Sequence, residues 1–277
     1  MFAVRNSATG ARATKVNSCF WSRKLSGNIY SSKTNRSTAN RVPTLGSSPL
    51  PTSSPTPSIT ACHTMDDSKA ENLSKSGTEV EVKLRIPDAA CFAALRDMLL
   101  PCFRRAHEQE NCFFDGASQE LSSRHVVLRL RFYDTDRKAV MTMKGKQILQ
   151  NGVGTALEVE EEIDVKVARQ FLEDPSSMLA SDISVIKKLK ETVGKIPGGL
   201  VNLGSFFNLR REYVWRGHLL ELDQTSFPWG TLYEIEAETS KPEELKQELE
   251  AILTQHDIPY SYSVKSKFAN FIDKTLV

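Results

Sequence analysis

The chain has 277 residues, 40% hydrophobic and 25% charged, enough for one or two domains with a buried core. Its 36 Lys and Arg against 34 Asp and Glu give a net charge of +2, but eight of the basic residues precede Met65 and no acid does. The remainder carries 28 basic against 34 acidic residues, or −6, which argues against a nucleic-acid-binding surface, and no apolar run reaches the roughly 18 residues that span a bilayer.

Residues 1–65 are rich in Ser and Thr and close with PTLGSSPLPTSSPTPS. They offer few large apolar groups to offset the entropy of ordering a backbone, so this stretch is expected to be disordered. An Arg-rich, Ser-rich, acid-free start reads as a transit peptide and linker for a plastid or mitochondrion. Residues 66–77 then form a flexible leader, and Met65 offers an internal start for a cytoplasmic form.

From Thr78 onward the dominant period is two rather than 3.6. Strands are predicted near 79–86, 109–114, 125–133, 139–146, 157–165, 205–215, 218–225 and 231–238. Arg216-Gly217, between Trp215 and His218, reads as a hairpin turn. Helices fit 88–100, 165–173, 182–193 and 242–256. The last of these has Pro242 at its first position and Glu243-Glu244 behind it. A short final helix is expected near Ser266, running through Phe268 and Phe271. The class is α+β: an eight-stranded antiparallel barrel with flanking helices, in one domain over 78–277.

The charge along these strands decides for a barrel. Glu79, Glu81, Lys83 and Arg85 stand opposite Val80, Val82, Leu84 and Ile86. Taken singly, that is a solvated strand face. Taken together, the strands segregate their charges: Arg129 and Arg131 share one face, and Glu158, Glu160, Glu162 and Asp164 another. Glu221 pairs with Asp223, and Glu234, Glu236 and Glu238 form a further row. Carboxylates at i and i+2 lie roughly 6.5–7 Å apart, and like charges so placed cost stability unless something neutralises them. In a barrel, residues alternate between inside and outside, so the charged faces can line one lumen. Carboxylate oxygens suit Mg2+ or Mn2+, and Lys and Arg suit phosphate oxygens. The ligand implied is a linear polyphosphate held by cations, with metal on its other side.

The motif EVEVK (79–83) resembles the ExExK signature of the CYTH, or triphosphate tunnel metalloenzyme, superfamily. The resemblance continues in order through VLRLR (127–131), TMK (142–144), EVEEEID (158–164), NLRREYVWRGHLLELD (208–223), YEIEAE (233–238) and SKFA (266–269). It is most like the stand-alone plant inorganic tripolyphosphatases. No GxxxxGK[ST] loop is present, which sets aside the kinase-fused members.

The resemblance implies a tunnel enzyme that hydrolyses tripolyphosphate to pyrophosphate and phosphate. Glu79, Glu81, Glu234 and Glu236 would hold a metal ion. Glu158, Glu160 and Asp223 would hold a second one or orient the attacking water. Lys83, Arg85, Arg129, Arg131, Lys144, Arg210 and Lys267 would bind the phosphates. Glu158, Glu160 and Lys267 are the candidate catalytic residues. The expected partner is a small polyphosphate, with no nucleic acid or membrane, and the expected state is a monomer. Thiamine-triphosphatase, nucleotide triphosphatase or adenylyl cyclase activity, or polyphosphate binding without turnover, are the competing readings.

Other conspicuous residues read as structural. His107, His125, His218 and His256 are scattered, Cys112 beside Phe113-Phe114 reads as packing, Trp215 and Trp229 as core or rim, and Lys187-Lys188-Leu189-Lys190 as a solvated helix face.

Overall fold

A computed structural model of the protein describes residues 75–277. The expected transit peptide and most of the leader lie outside the described residues. Ten strands form one sheet: β1 (Lys75–Ile86), β2 (Phe103–Gly116), β3 (Val127–Tyr133), β4 (Lys138–Lys144), β5 (Ile148–Gln150), β6 (Val153–Ile163), β7 (Leu200–Trp215), β8 (His218–Phe227), β9 (Gly230–Glu238) and β10 (Ser261–Tyr262). Five α-helices accompany them: α1 (Ala89–Leu99), α2 (Val165–Glu173), α3 (Ser184–Val193), α4 (Pro242–Gln255) and α5 (Lys267–Asp273).

The order β1-β9-β8-β7-β2-β3-β4-β6 is closed by antiparallel pairing of β1 with β6, giving an eight-stranded barrel. The short β10 and β5 lie against β1 and β6. All eight predicted strands are therefore barrel staves. The two-residue turn between β7 and β8 has positive φ at both Arg216 (49°) and Gly217 (80°), the geometry that matches strand twist in a tight hairpin. Among the described residues, no helix is long and apolar enough to cross a membrane.

The apolar faces of the staves point outward and are covered by helices. Leu128, Leu130, Met141 and Met143 pack with Ala168 and Phe171 of α2 and Val185, Ile186 and Leu189 of α3. On the opposite side, Leu84, Leu222 and Ile235 pack with Leu95 of α1 and Leu249 of α4. Burying such side chains from both sides contributes about 1.5–3 kcal/mol each. The inward faces are thereby left to the charged residues. At the end of the barrel where β8 meets β9, Phe113, Phe206, Phe227 and Leu232 form a third cluster with Trp229 and with Phe268 and Phe271 of α5.

Two sequence expectations need correcting. Asp164 is not on the acidic face: β6 ends at Ile163, and the Asp164 carboxylate accepts from the backbone N–H groups of Lys166 and Val167 as the cap of α2. His125 does not open β3 but ends a short 3-10 turn in a left-handed conformation (φ 57°), and the strand begins at Val127. The staves are also longer than the alternation showed. β2 starts at Phe103 rather than near 109, and the alternation missed that part because FRRAHE carries no period-two pattern.

Candidate active site inside the barrel

A cavity of about 510 Å³ occupies the lumen. Glu79 and Glu81 of β1, Glu158 and Glu160 of β6 and Glu236 of β9 contribute carboxylates to it. Arg129 and Arg131 of β3, Lys144 of β4, Lys83 of β1, Arg210 of β7 and Lys267 of α5 contribute cations. Most of the site residues expected from the sequence therefore meet in one space, although they come from six strands and a helix.

Acids and bases interlock. The Lys267 ammonium lies 2.8 Å from Asp223 and 2.9 Å from Glu234, and also bonds Glu236. Arg210 donates to Asp223 through two parallel bonds (2.9 and 2.6 Å), reaches Glu236 at 3.1 Å and pairs with Glu221. Lys83 bonds Glu236 and lies 3.4 Å from Glu81. Lys144 bridges Glu79 (2.5 Å) and Glu158 (2.9 Å). Arg129 donates to Thr142 (3.1 Å) and Glu160 (3.2 Å), and Thr142 donates to the same Glu160 oxygen at 2.8 Å.

Three predicted residues stand apart from the cavity wall. Asp223 and Glu234 are fully buried behind Lys267, and Glu234 also accepts from Ser263 at 2.9 Å. Arg85 points inward but lines a second pocket, of about 580 Å³. There it donates to the Val277 oxygen at 2.6 Å and lies 3.3 Å from Glu234. Glu162, at the barrel rim, pairs with Lys138 at 2.9 Å with both side chains about half exposed.

Burial would lower the Lys83 ammonium, but Glu236, Glu81 and Glu234 outweigh it and hold it well above its ordinary value. Lys267 is raised in the same way, against burial, by Asp223, Glu234 and Glu236. Burial alone would raise Glu236, yet Lys267, Lys83 and Arg210 hold it well below the usual range. Asp223 is likewise held down, against burial, by Arg210 and Lys267. Glu221 behaves oppositely: burial pushes it up to about 7, Asp223 and Glu236 push the same way, and Arg210 opposes them.

A carboxyl raised from 4.5 to about 7 on folding binds its proton more tightly in the folded than in the unfolded state. Its stabilisation is complete below about pH 4.5 and is lost as pH rises to about 7. The Glu221 side chain retains 23% exposure, so solvent screening limits the effect to about 2 kcal/mol. Glu221→Gln is expected to remove that part of the decline in metal-free protein, read by urea unfolding at pH 5 and 7.5. An unchanged pH slope would show that Glu221 is already ionised at pH 5.

Sequence reading missed several polar residues here. Gln147, in the segment after β4, donates to Glu81 at 2.9 Å, and no periodicity marks it. Thr142 and Tyr133 were detectable, since they share the inward phase of Lys144 and Arg131. The residues read as structural behave so: Cys112 is buried in the outer core, its thiol pushed up to about 12 by burial with Glu110 adding to it. Trp229 donates to the Thr275 oxygen at 3.2 Å beside the Phe cluster. His125, by contrast, lies on the cavity wall.

The solved structure of a Hippeastrum adenylyl cyclase candidate that reveals a dominant triphosphatase activity is similar to this chain. The identity is 40%, covering 72% of this chain and 97% of that one, with a TM-score of 0.70. A Bacillus halodurans adenylate cyclase candidate shares the fold at 23% identity and a TM-score of 0.55, covering 70% of this chain and 98% of its own. Comparison with curated proteins gives no match. The CYTH domain matches residues 77–272, nearly the whole described chain, and with the charged lumen of an eight-stranded barrel this places the protein in the CYTH family.

Proposed function

We propose that the protein hydrolyses inorganic tripolyphosphate to pyrophosphate and orthophosphate, as a monomer and with Mg2+ or, failing that, Mn2+. The observation that carries this reading is the lumen itself, where a wall of carboxylates faces the same cavity as seven Lys and Arg side chains, Lys146 beside the six named above. Cations alone would suffice to bind a polyanion. Carboxylates beside it need a further positive charge between them and the phosphates. The Hippeastrum relative, with its dominant triphosphatase activity, supports the same reading.

CYTH proteins generally use a divalent metal. The donor set here fits a hard cation, being all carboxylate oxygen. The Glu158 Oε2 atom is buried and receives no well-directed hydrogen bond, only the Lys144 charge. Among the described residues no three acidic, His or Cys side chains already converge on one ion position, because lysine ammoniums separate them. Glu79, Glu81, Glu158, Glu160 and Glu236, which line the cavity, would hold the ion. Asp223 and Glu234 would keep Lys267 and Arg210 in place behind them. The bound ion supplies Lewis-acid neutralisation of phosphoryl charge.

The chain's own residues do the rest by position and charge, as phosphoryl transfer demands. Arg129, Arg131 and Lys144 hold phosphate oxygens from one side of the lumen, Lys83 and Arg210 from the other. Lys267 faces the departing pyrophosphate. Glu160, the less covered of the two carboxylates among the catalytic candidates (30% side-chain exposure against 13% for Glu158), orients the attacking water and accepts its proton. Arg85, set in its own pocket, contributes through Glu234 rather than by direct contact.

A second reading has one observation in its favour. Phe113, Phe206 and Phe268 line part of the same cavity beside His125, and could take the organic group of thiamine triphosphate or a nucleotide. The deciding assay follows orthophosphate and pyrophosphate release by EDTA-treated protein, with and without added Mg2+ or Mn2+. The substrates are tripolyphosphate, ATP and thiamine triphosphate. Metal-restored release from tripolyphosphate in preference to the other two is the expected result. Binding without turnover of any of them would overturn it. We propose further that residues 1–65 direct the enzyme to a plastid or mitochondrion and that initiation at Met65 gives a cytoplasmic form.

A further inference from the structure

Inside the barrel, among so many charges, stands a neutral amide whose donor has no acceptor. Asn111 of β2 points inward, is 1% exposed and lines the cavity. Its Oδ1 accepts from Nε of Arg131 at 2.8 Å, and the Tyr133 hydroxyl accepts from Nη1 of the same guanidinium at 3.2 Å. These contacts fix which way round the amide sits. Turned over, its NH2 would meet a guanidinium N–H, donor against donor. The Nδ2 atom is therefore committed to the other side, where it is buried and no described residue accepts from it.

Buried amide donors rarely go without a partner, and leaving one unpaired is costly. The next inward residue of the same strand differs in place. The Gln109 Nε2 is also buried without an acceptor, but Gln109 does not line the cavity and its partners are neutral: its Oε1 accepts from Asn208 at 3.0 Å, and the Asn208 Oδ1 accepts from Thr225 at 2.9 Å. Asn111 stands outside those neutral groups, tied to a cation on the substrate side. What completes its set is an acceptor that also meets Arg131, and a phosphoryl oxygen does both.

We propose that Asn111 is a substrate-binding residue: its Nδ2 donates to a phosphoryl oxygen of the bound triphosphate while its Oδ1 holds the Arg131 guanidinium against the same group. The inference rests on the triphosphate reading of this cavity. A neutral donor adds direction without adding charge, so Asn111 fixes the rotation of a phosphoryl group that the surrounding cations attract from many angles.

A double-mutant cycle separates direct contact from an effect passed through Arg131. Tripolyphosphate binding is measured by calorimetry in EDTA, and KM and kcat with Mg2+, for Asn111→Ala, Arg131→Ala and the pair. Asn111→Ala is expected to weaken binding roughly tenfold or more, and to weaken it by a similar factor when Arg131 is already Ala. No effect, or an effect that vanishes in the Arg131→Ala background, overturns the direct contact. Asn111→Asp keeps the acceptor for Arg131 and loses the donor. Should the alanine variant fail to fold, wild-type affinity in the aspartate variant overturns the proposal equally. Unaltered protein that binds tripolyphosphate without cleaving it refutes the hydrolase reading and leaves Asn111 to be decided by calorimetry. If the unaltered protein does not bind it at all, both are refuted.

Discussion

Lys267→Met is expected to destabilise the metal-free protein by about 3–5 kcal/mol, because it strips a buried cation from three carboxylates. The Lys267 ammonium is shared by Asp223, Glu234 and Glu236, all at most 4% exposed. Arg210 still neutralises Asp223 and Glu236 in the variant, but Glu234 is left with Arg85 at 3.3 Å as its ion-pair partner and the neutral Ser263 hydroxyl at 2.9 Å. The helix that carries the residue should survive, since its cap comes from Ser266, whose hydroxyl accepts from the Ala269 N–H. Urea denaturation in EDTA measures the loss. The same change should lower kcat/KM for tripolyphosphate by roughly a hundredfold to a thousandfold, the scale of losing one preorganised charge partner of the leaving group. A destabilised variant of full activity would make Lys267 purely structural; unchanged values of both would contradict the ion contacts themselves.

Glu81→Gln should act almost entirely on turnover. Glu81 is 7% exposed, accepts from Gln147 at 2.9 Å and lies 3.4 Å from Lys83, which keeps its bond to Glu236. Substitution by the isosteric amide therefore costs about 1 kcal/mol or less in stability. Losing one carboxylate from the ion-holding set removes several kcal/mol of charge stabilisation, which corresponds to about a thousandfold in rate. Phosphate release at saturating Mg2+, together with a melting curve, tests both halves. A folded variant with full metal-dependent activity would remove Glu81 from that set.

The barrel was legible because of a contradiction in the strands. Glu79, Glu81, Lys83 and Arg85 make an implausible solvent face once β3, β6, β8 and β9 repeat the segregation, and closing the sheet resolves it. Hydrophobic alternation and charge alternation are here one signal seen from two sides. What period-two reading could not give was depth along the lumen. Arg85 shares the phase of Lys83, yet the strand carries it past the cavity into a separate pocket. Asp164 extended the acidic row by count but fell one residue beyond the strand end and became a helix cap. Asn111 and Gln147 carry no charge and stood in no pattern, so only the fold brings them to Arg131 and Glu81.

Closure of β1 onto both β6 and β9 has a consequence for how the molecule comes to exist. The bond from Lys83 to Glu236 joins residues 153 positions apart. Contacts of such sequence separation must overcome loop-closure entropy before they return any stabilisation, and topologies built on them fold slowly. The first stave can find its last partner only after β9 has emerged, near the end of synthesis. Until then one edge of the stave is unpaired, and the part of its apolar face that α4 covers, beyond the reach of α1, is bare. The segment that supplies the first two carboxylates of the site is thus the one that waits longest for its neighbours. A chain cut short before β9 would have neither a closed sheet nor a lumen.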